Sequence, residues 1–157
     1  MAKTSAGVLL YRKSGKSLEV FLVHPGGPFW AKKDDGAWSI PKGEFARGQD
    51  PVEVAKREFE EETGFPLKGT LQALEPIKQA GGKIVYAWAV EGEIDASAIR
   101  SNTFSMEWPP RSGKTQEFPE VDRASWFDLD TARRKFLKSQ MPLLEQLQEK
   151  RRAQDAR

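Results

Sequence analysis

The chain has no cysteine and a single histidine, His24, among its 157 residues. The first absence excludes disulfides, thiolate zinc sites and a cysteine nucleophile. The second excludes a multi-histidine metal cluster within one chain. Long hydrophobic runs are missing too: Met1-Ala2-Lys3-Thr4 leads straight into a short alternating run, without the continuous apolar stretch of a signal peptide or transmembrane helix. Nor does one sign of charge dominate, since 25 Lys and Arg stand against 23 Asp and Glu for a net +2. Nothing in that balance calls for a nucleic-acid or membrane partner. The simplest location is the cytoplasm, and any preference for anions must come from local patches.

What the chain does have is balance, with 38% hydrophobic and 31% charged residues, the proportions of a soluble globular protein. Its length fits one sizeable core, so residues 1–157 are expected to form a single domain. Strand-like runs over 5–12 and 18–24 flank Lys13-Ser14-Gly15-Lys16-Ser17, which predicts a hairpin. A loop over 25–36 and a short strand over 37–40 then feed Pro41-Lys42-Gly43. Two more strands are expected over 68–79 and 83–93, around the turn Ala80-Gly81-Gly82. Residues 101–119, with Pro109-Pro110, read as a polar and aromatic loop, and 121–127 as a last strand. From Thr131 the chain turns helical, Phe136, Leu137, Leu144 and Leu147 giving one apolar face before a charged tail that frays. This order predicts an α/β (α+β) fold with helices packed on the faces of one mixed sheet.

The best-marked element is the helix after Gly43. Asp50 is a capping residue, Pro51 suits the first helical position, Glu53 stands where a capping box wants an acid, and Gly64 supplies the stop. Val52, Ala55 and Phe59 recur at helical spacing as the buried stripe. Glu58, Glu61 and Glu62 stand at i, i+3 and i+4, so they leave the helix on one face, where like charges repel by a few tenths of a kcal/mol per pair. A hard divalent cation takes oxygen ligands and shares them with phosphates, which suits such a face to holding metal against a polyphosphate. Taken alone, the face reads first as solvated surface with Lys56 and Arg57 as ordinary ion-pair partners.

Context shifts that weighting. The stretch from Gly43 to Phe65, with Arg57, Glu58, Phe59, Glu61, Glu62, Gly64 and Phe65 in register, resembles the Nudix box, a glycine loop leading into a helix that ends Arg-Glu-apolar-any-Glu-Glu-any-Gly-apolar. The flanking strands and Ser125-Trp126-Phe127 resemble the usual surroundings of a Nudix domain. The resemblance implies an α/β/α sandwich with a mixed central sheet and a hydrolase acting on phosphoanhydride bonds. It also implies Mg²⁺, with Mn²⁺ as a substitute, held by Glu58, Glu61, Glu62 and the Gly43 carbonyl, with Arg57 orienting the glutamates. One position departs: where the family has a glutamate six residues after the leading glycine, this chain has Gln49, which keeps hydrogen bonding and loses charge.

The implied reaction is attack of water at phosphorus, which needs charge neutralisation and a positioned base. Glu61, Glu117 and Glu120 are the candidate bases. For the substrate, Lys32, Lys33, Lys42 and Arg111 are the candidate phosphate contacts, and Trp38 a candidate stacking ring, with a core position for Trp38 equally consistent. His24 reads first as a structural residue and second as a phosphate donor. The segment 24–44 is similar to bacterial Nudix proteins regarded as nucleoside-triphosphate pyrophosphohydrolases and, more distantly, to dinucleoside polyphosphate hydrolases. The implied partner is a nucleotide-like small molecule, with no membrane partner and either a monomer or a homodimer. Competing readings are a non-catalytic nucleotide-binding module marked by Gln49, an RNA 5′-end pyrophosphohydrolase, for which the scattered lysines give little support, and an interaction domain using the C-terminal helix.

Overall fold

The computed structural model describes residues 3–15 and 17–155. Lys16 of the expected turn, the first two residues and the last two of the charged tail lie outside the described residues. The strands are β1 (Thr4–Ser14), β2 (Ser17–Pro25), β3 (Lys42–Phe45), β4 (Gln72–Ala73), β5 (Ile77–Lys78), β6 (Ile84–Glu91), β7 (Thr103–Glu107), β8 (Thr115–Pro119) and β9 (Val121–Asp128). The helices are α1 (Pro51–Thr63), α2 (Leu129–Lys135) and α3 (Met141–Asp155). One mixed sheet runs β4-β6-β1-β2-β9, with β3 also on β1 and β5 also on β6. The β1–β6 pair is parallel and the other pairs of this sheet antiparallel.

Alternation along β1 divides the interior in two. Ala6, Val8 and Leu10 face one side, where Phe21, Val23, and Val54, Ala55 and Phe59 of α1 join them. Leu9 and Tyr11 face the other, with Val20, Leu22, Ala132, Phe136, Leu143, Leu144 and Leu147. Helix α1 thus covers one face and α2 with α3 the other, giving the expected α/β/α arrangement. Each fully buried Leu or Phe contributes roughly 1.5–3 kcal/mol to holding these layers together.

Helix α1 follows its sequence signals. The Asp50 carboxylate accepts the Val52 amide at 3.0 Å, Pro51 opens the helix, and Gly64 closes it at a φ of 81° that disfavours side chains. Glu53 stands 3.6 Å from Lys56 as an ion pair. The buried stripe is Val54, Ala55, Phe59, Glu62 and Thr63, whereas Val52, expected in it, is half-buried.

Other expectations need correction. Residues 101–119 are not a loop: β7 and β8 pair as a ribbon with Phe104 opposite Phe118. Pro109 and Pro110 sit in its turn, where they remove no ladder hydrogen bond. The segment 37–40 is not a full strand: its β-pairing is limited to the isolated bridges Val23 to Ser39 and Trp38 to Phe136, and 68–79 holds two short strands, β4 and β5. The C-terminal helix expected from Thr131 begins at Leu129, capped by Asp128, and breaks at Phe136. There the chain extends, Leu137 donating to the Trp38 carbonyl at 2.8 Å, before α3 starts at Met141-Pro142.

Candidate catalytic site

Helix α1 crosses beside β3, so that its acidic face meets Gly43. The carboxyl group of Glu58 lies where a side chain on Gly43 would be, within 2.4 Å of an ideal Cβ built there. Arg57 bridges two of the acids, its Nη2 standing 3.5 Å from Glu58 Oε1 and its Nε 3.7 Å from Glu61 Oε1. Glu62 points inward and is only 8% exposed. Burial first, then Glu58 and Glu120, push its carboxyl up to about 9, against the charge of Lys42 and a hydrogen bond from the Lys42 backbone. Glu58 is raised by burial and by Glu61, and Glu120 by burial and by Glu61. Burial lowers the Lys42 ammonium, with Glu62 the main opposing influence.

Backbone hydrogen bonds explain why Glu120 reaches this cluster from a distant part of the chain. The Asn102 amide donates to the Glu61 carbonyl at 2.8 Å, and the Glu120 amide donates to the Asn102 carbonyl at 2.9 Å. The end of α1 is thereby laced through Asn102 to the start of β9. A cleft of about 230 Å³ opens between these elements, lined by Glu62, Glu120, Lys42, Trp30, Ile40 and Leu137 among others. Among the described residues no three acidic or histidine side chains already stand in metal-binding geometry, and Glu58 and Glu61 are paired with Arg57. The donor chemistry nevertheless fits a hard divalent cation: an all-oxygen set in which burial and mutual repulsion raise two carboxyl groups in the absence of added positive charge.

A family model for the NUDIX domain matches residues 1–147. The chain belongs to the NUDIX domain family. Curated relatives include an RNA pyrophosphohydrolase of Bartonella clarridgeiae, 30% identical over 108 residues, which cover 59% of this chain and 57% of that protein. An RNA pyrophosphohydrolase of Bartonella henselae is 25% identical over 148 residues, or 82% of this chain and 78% of that protein. The chain therefore spans a little over half the length of the first of these and about three quarters of the second. Among solved structures, the NUDIX domain of Shewanella oneidensis NrtR complexed with ADP ribose superimposes with a TM-score of 0.66 at 16% identity, covering 96% of this chain and 88% of that one. A C. elegans Ap4A hydrolase binary complex gives 0.63 at 22% identity, covering 94% and 96%. Both likenesses are of fold.

Of the Nudix box residues, Gly43, Glu58, Arg57 and Glu61 are in successive contact, and Glu62 lies within electrostatic reach of Glu58. Of the loop bases, Glu120 lines the cleft, whereas Glu117 is exposed on β8 and accepts from the Thr103 hydroxyl at 3.3 Å. Of the expected substrate contacts, Lys42 lines the cleft. Trp38 is a correction: it is 4% exposed, packs edge-on to Phe127 at 5.0 Å and donates its indole N–H to Asp34 at 2.8 Å, so neither ring face is free to stack a base. Lys32 and Lys33 are exposed, and the Lys33 ammonium lies 5.0 Å from the Trp30 ring. Arg111 stands in the β7–β8 turn at a φ of 62°, away from the residues lining the cleft. The two loops do converge, through Phe29 edge-on to Trp108 at 5.5 Å. In the sequence Trp30 is one ring of the aromatic and basic loop over 28–38 and Leu137 one member of the apolar face after Thr131; neither was singled out, and the fold sets both in the lining of the cleft with Glu62. Among the described residues no helix is long and apolar enough to cross a membrane.

Proposed function

We propose that this Nudix hydrolase is a divalent-metal-dependent pyrophosphohydrolase that cleaves a phosphoanhydride bond in a nucleoside triphosphate or dinucleoside polyphosphate. The observation carrying the reading is the buried Glu62 carboxyl, lining one cleft with Glu120 and Lys42 and within electrostatic reach of Glu58. Glu58, Glu61, Glu62 and the Gly43 carbonyl would hold Mg²⁺ or Mn²⁺, which when bound neutralises phosphate charge and activates water. Arg57 fixes the directions of Glu58 and Glu61 through its two ion pairs. Lys42 offers its ammonium to a phosphate oxygen at the cleft wall. Glu120 takes the proton of the attacking water as its oxygen bonds to phosphorus and the bridging P–O bond breaks, with the electron pair leaving on the departing phosphate.

A second substrate, the 5′-triphosphate end of an RNA, is favoured by the names of both Bartonella relatives. A hydrolysis screen over nucleoside triphosphates, dinucleoside polyphosphates and 5′-triphosphorylated RNA, with Mg²⁺, with Mn²⁺ and with chelator, separates the two. Turnover abolished by chelator supports the proposal and names the class. No turnover with any substrate and either metal would leave a nucleotide-binding module in its place.

A further inference from the structure

Glu120 stands where the β7–β8 ribbon joins the main sheet, and its backbone is gripped from two sides. Its amide donates to the Asn102 carbonyl at 2.9 Å, and its carbonyl accepts the Gly26 amide at 2.9 Å. Gly26 approaches so closely that a Cβ on it would stand 1.9 Å from the Pro119 carbonyl oxygen, so only glycine fits there. The β2–β9 register shifts at this point: His24 pairs with Arg123 and Pro25 with Val121, passing over Asp122, whose Oδ1 lies 2.8 Å from Nδ1 of the buried His24. Irregularities of this kind re-aim side chains beside active sites.

Ser101 completes the grip. Its hydroxyl oxygen accepts the Val121 amide at 2.9 Å, and its proton goes to the Asn102 carbonyl at 2.8 Å, the same carbonyl that takes the Glu120 amide. An amide only donates and a carbonyl only accepts, so the direction of both bonds is fixed. Val121 is buried, and its amide needs this acceptor. The Asn102 amide in turn donates to the Glu61 carbonyl at 2.8 Å, which ties the junction to the end of α1. The Glu120 side chain, by contrast, is exposed where it lines the cleft, so its carboxylate is aimed from its backbone rather than by packing around it. Ser101 itself is not part of the cleft lining.

We propose that Ser101 is a positioning residue for Glu120: its hydroxyl, shared between Val121 and Asn102, locks the Asn102–Glu120 junction so that the Glu120 carboxylate is held in the cleft beside the acidic face of α1. The catalytic half rests on the reading of Glu120 as the base, and the anchoring does not.

Amide exchange followed by NMR tests the anchoring without any substrate. In Ser101→Ala the Glu120 and Asn102 amides, whose bonds the hydroxyl does not itself make, are expected to exchange faster while those of β1 keep their protection. Unchanged protection of both overturns the anchoring. With an active substrate, Ser101→Ala is expected to lower kcat about 10–100-fold at constant KM, the scale of a reacting group misplaced by about 1 Å, and Ser101→Thr, which keeps the hydroxyl, to restore it. In a Glu120→Gln background the same alanine substitution is expected to cost less than about twofold, because two changes that act through one group do not add. An equal loss in both backgrounds, or no loss in either, overturns the positioning role. If Glu120→Gln turns over like the wild type, the reading of Glu120 as the base fails while amide exchange still decides the anchoring.

Discussion

The carboxyl group of Glu58 occupies the space beside the α-carbon of Gly43, where a Cβ would stand 2.1 Å from Glu58 Cδ. The obstructed atoms are the far end of a flexible side chain, so Gly43→Ala is accommodated by swinging Glu58 aside rather than by parting β3 from β1. The expected result is a folded protein whose melting temperature moves by a few degrees at most, with turnover reduced about 10–100-fold because an acidic group has left its place. Melting curves and kcat/KM on the same sample check this. Wild-type turnover in the alanine variant would remove Glu58 from the site.

Glu62 makes the metal-free protein sensitive to pH in a direction that can be worked out. Its folded pKa of about 9 lies above the ordinary 4.5, owing to burial and to Glu58 and Glu120, with Lys42 opposing. Its contribution to stability is whole below the ordinary value and is lost as pH rises toward about 9. At the proposed metal site a divalent cation would replace the proton, so metal and proton would compete. The melting temperature without metal should fall between pH 6 and pH 8.5, and the rise produced by added Mg²⁺ should be larger at pH 8.5. Glu62→Gln should flatten both trends. A metal effect equal at the two pH values would place the cation elsewhere.

Glu120 and Glu117 lie three residues apart and are expected to behave differently. Both are exposed, but Glu120 lines the cleft with a carboxyl raised by partial desolvation and by Glu61, while Glu117 lies outside the cleft and is bonded to Thr103. Glu120→Gln should lower kcat by about 10²–10⁴-fold, the contribution of a positioned base, with KM little changed. Glu117→Gln should match the wild type. The acid limb of the wild-type rate profile should be shifted upward from the ordinary carboxylate value, because partial desolvation and the charge of Glu61 both favour the proton on Glu120. The reverse ranking of the two variants would move the base onto β8.

The acidic helix was legible because its signals are local: Asp50, Pro51 and Gly64 bound it, and the spacing of Glu58, Glu61 and Glu62 fixes their shared face whatever the rest of the chain does. The sheet was legible in outline for the same reason, since β1 and β2 alternate visibly about one turn. The β7–β8 ribbon was not, because Pro109 and Pro110 weigh against strand in any short window and only the cross-strand partners, such as Phe104 and Phe118, show that they occupy the turn. Trp38 and Trp30 illustrate the remaining limit. Both are aromatic residues of one basic loop, and which is buried is decided by contacts with Phe127 and Phe136, about 90 to 100 residues later in the chain.

Gln49 replaces the glutamate of the Nudix pattern, and its place in the structure makes that replacement mild. Its side-chain oxygen accepts the Ala46 amide at 2.7 Å, and its own amide donates to the Ala46 carbonyl at 3.1 Å, closing the turn before α1. A carboxylate would accept the same bond, so Gln49→Glu should leave kcat/KM within about threefold, as expected of an exposed substitution that keeps its partner. Gln49→Leu removes the acceptor and should cost about 0.5–1.5 kcal/mol of stability, the net worth of one such bond. Measured side by side, the two variants separate the bond from the charge. If instead Gln49→Glu raised turnover about tenfold or more, the missing charge rather than the bond to Ala46 would be what limits this site, and Glu58, Glu61 and Glu62 of α1 would need a fourth acid to work at full rate.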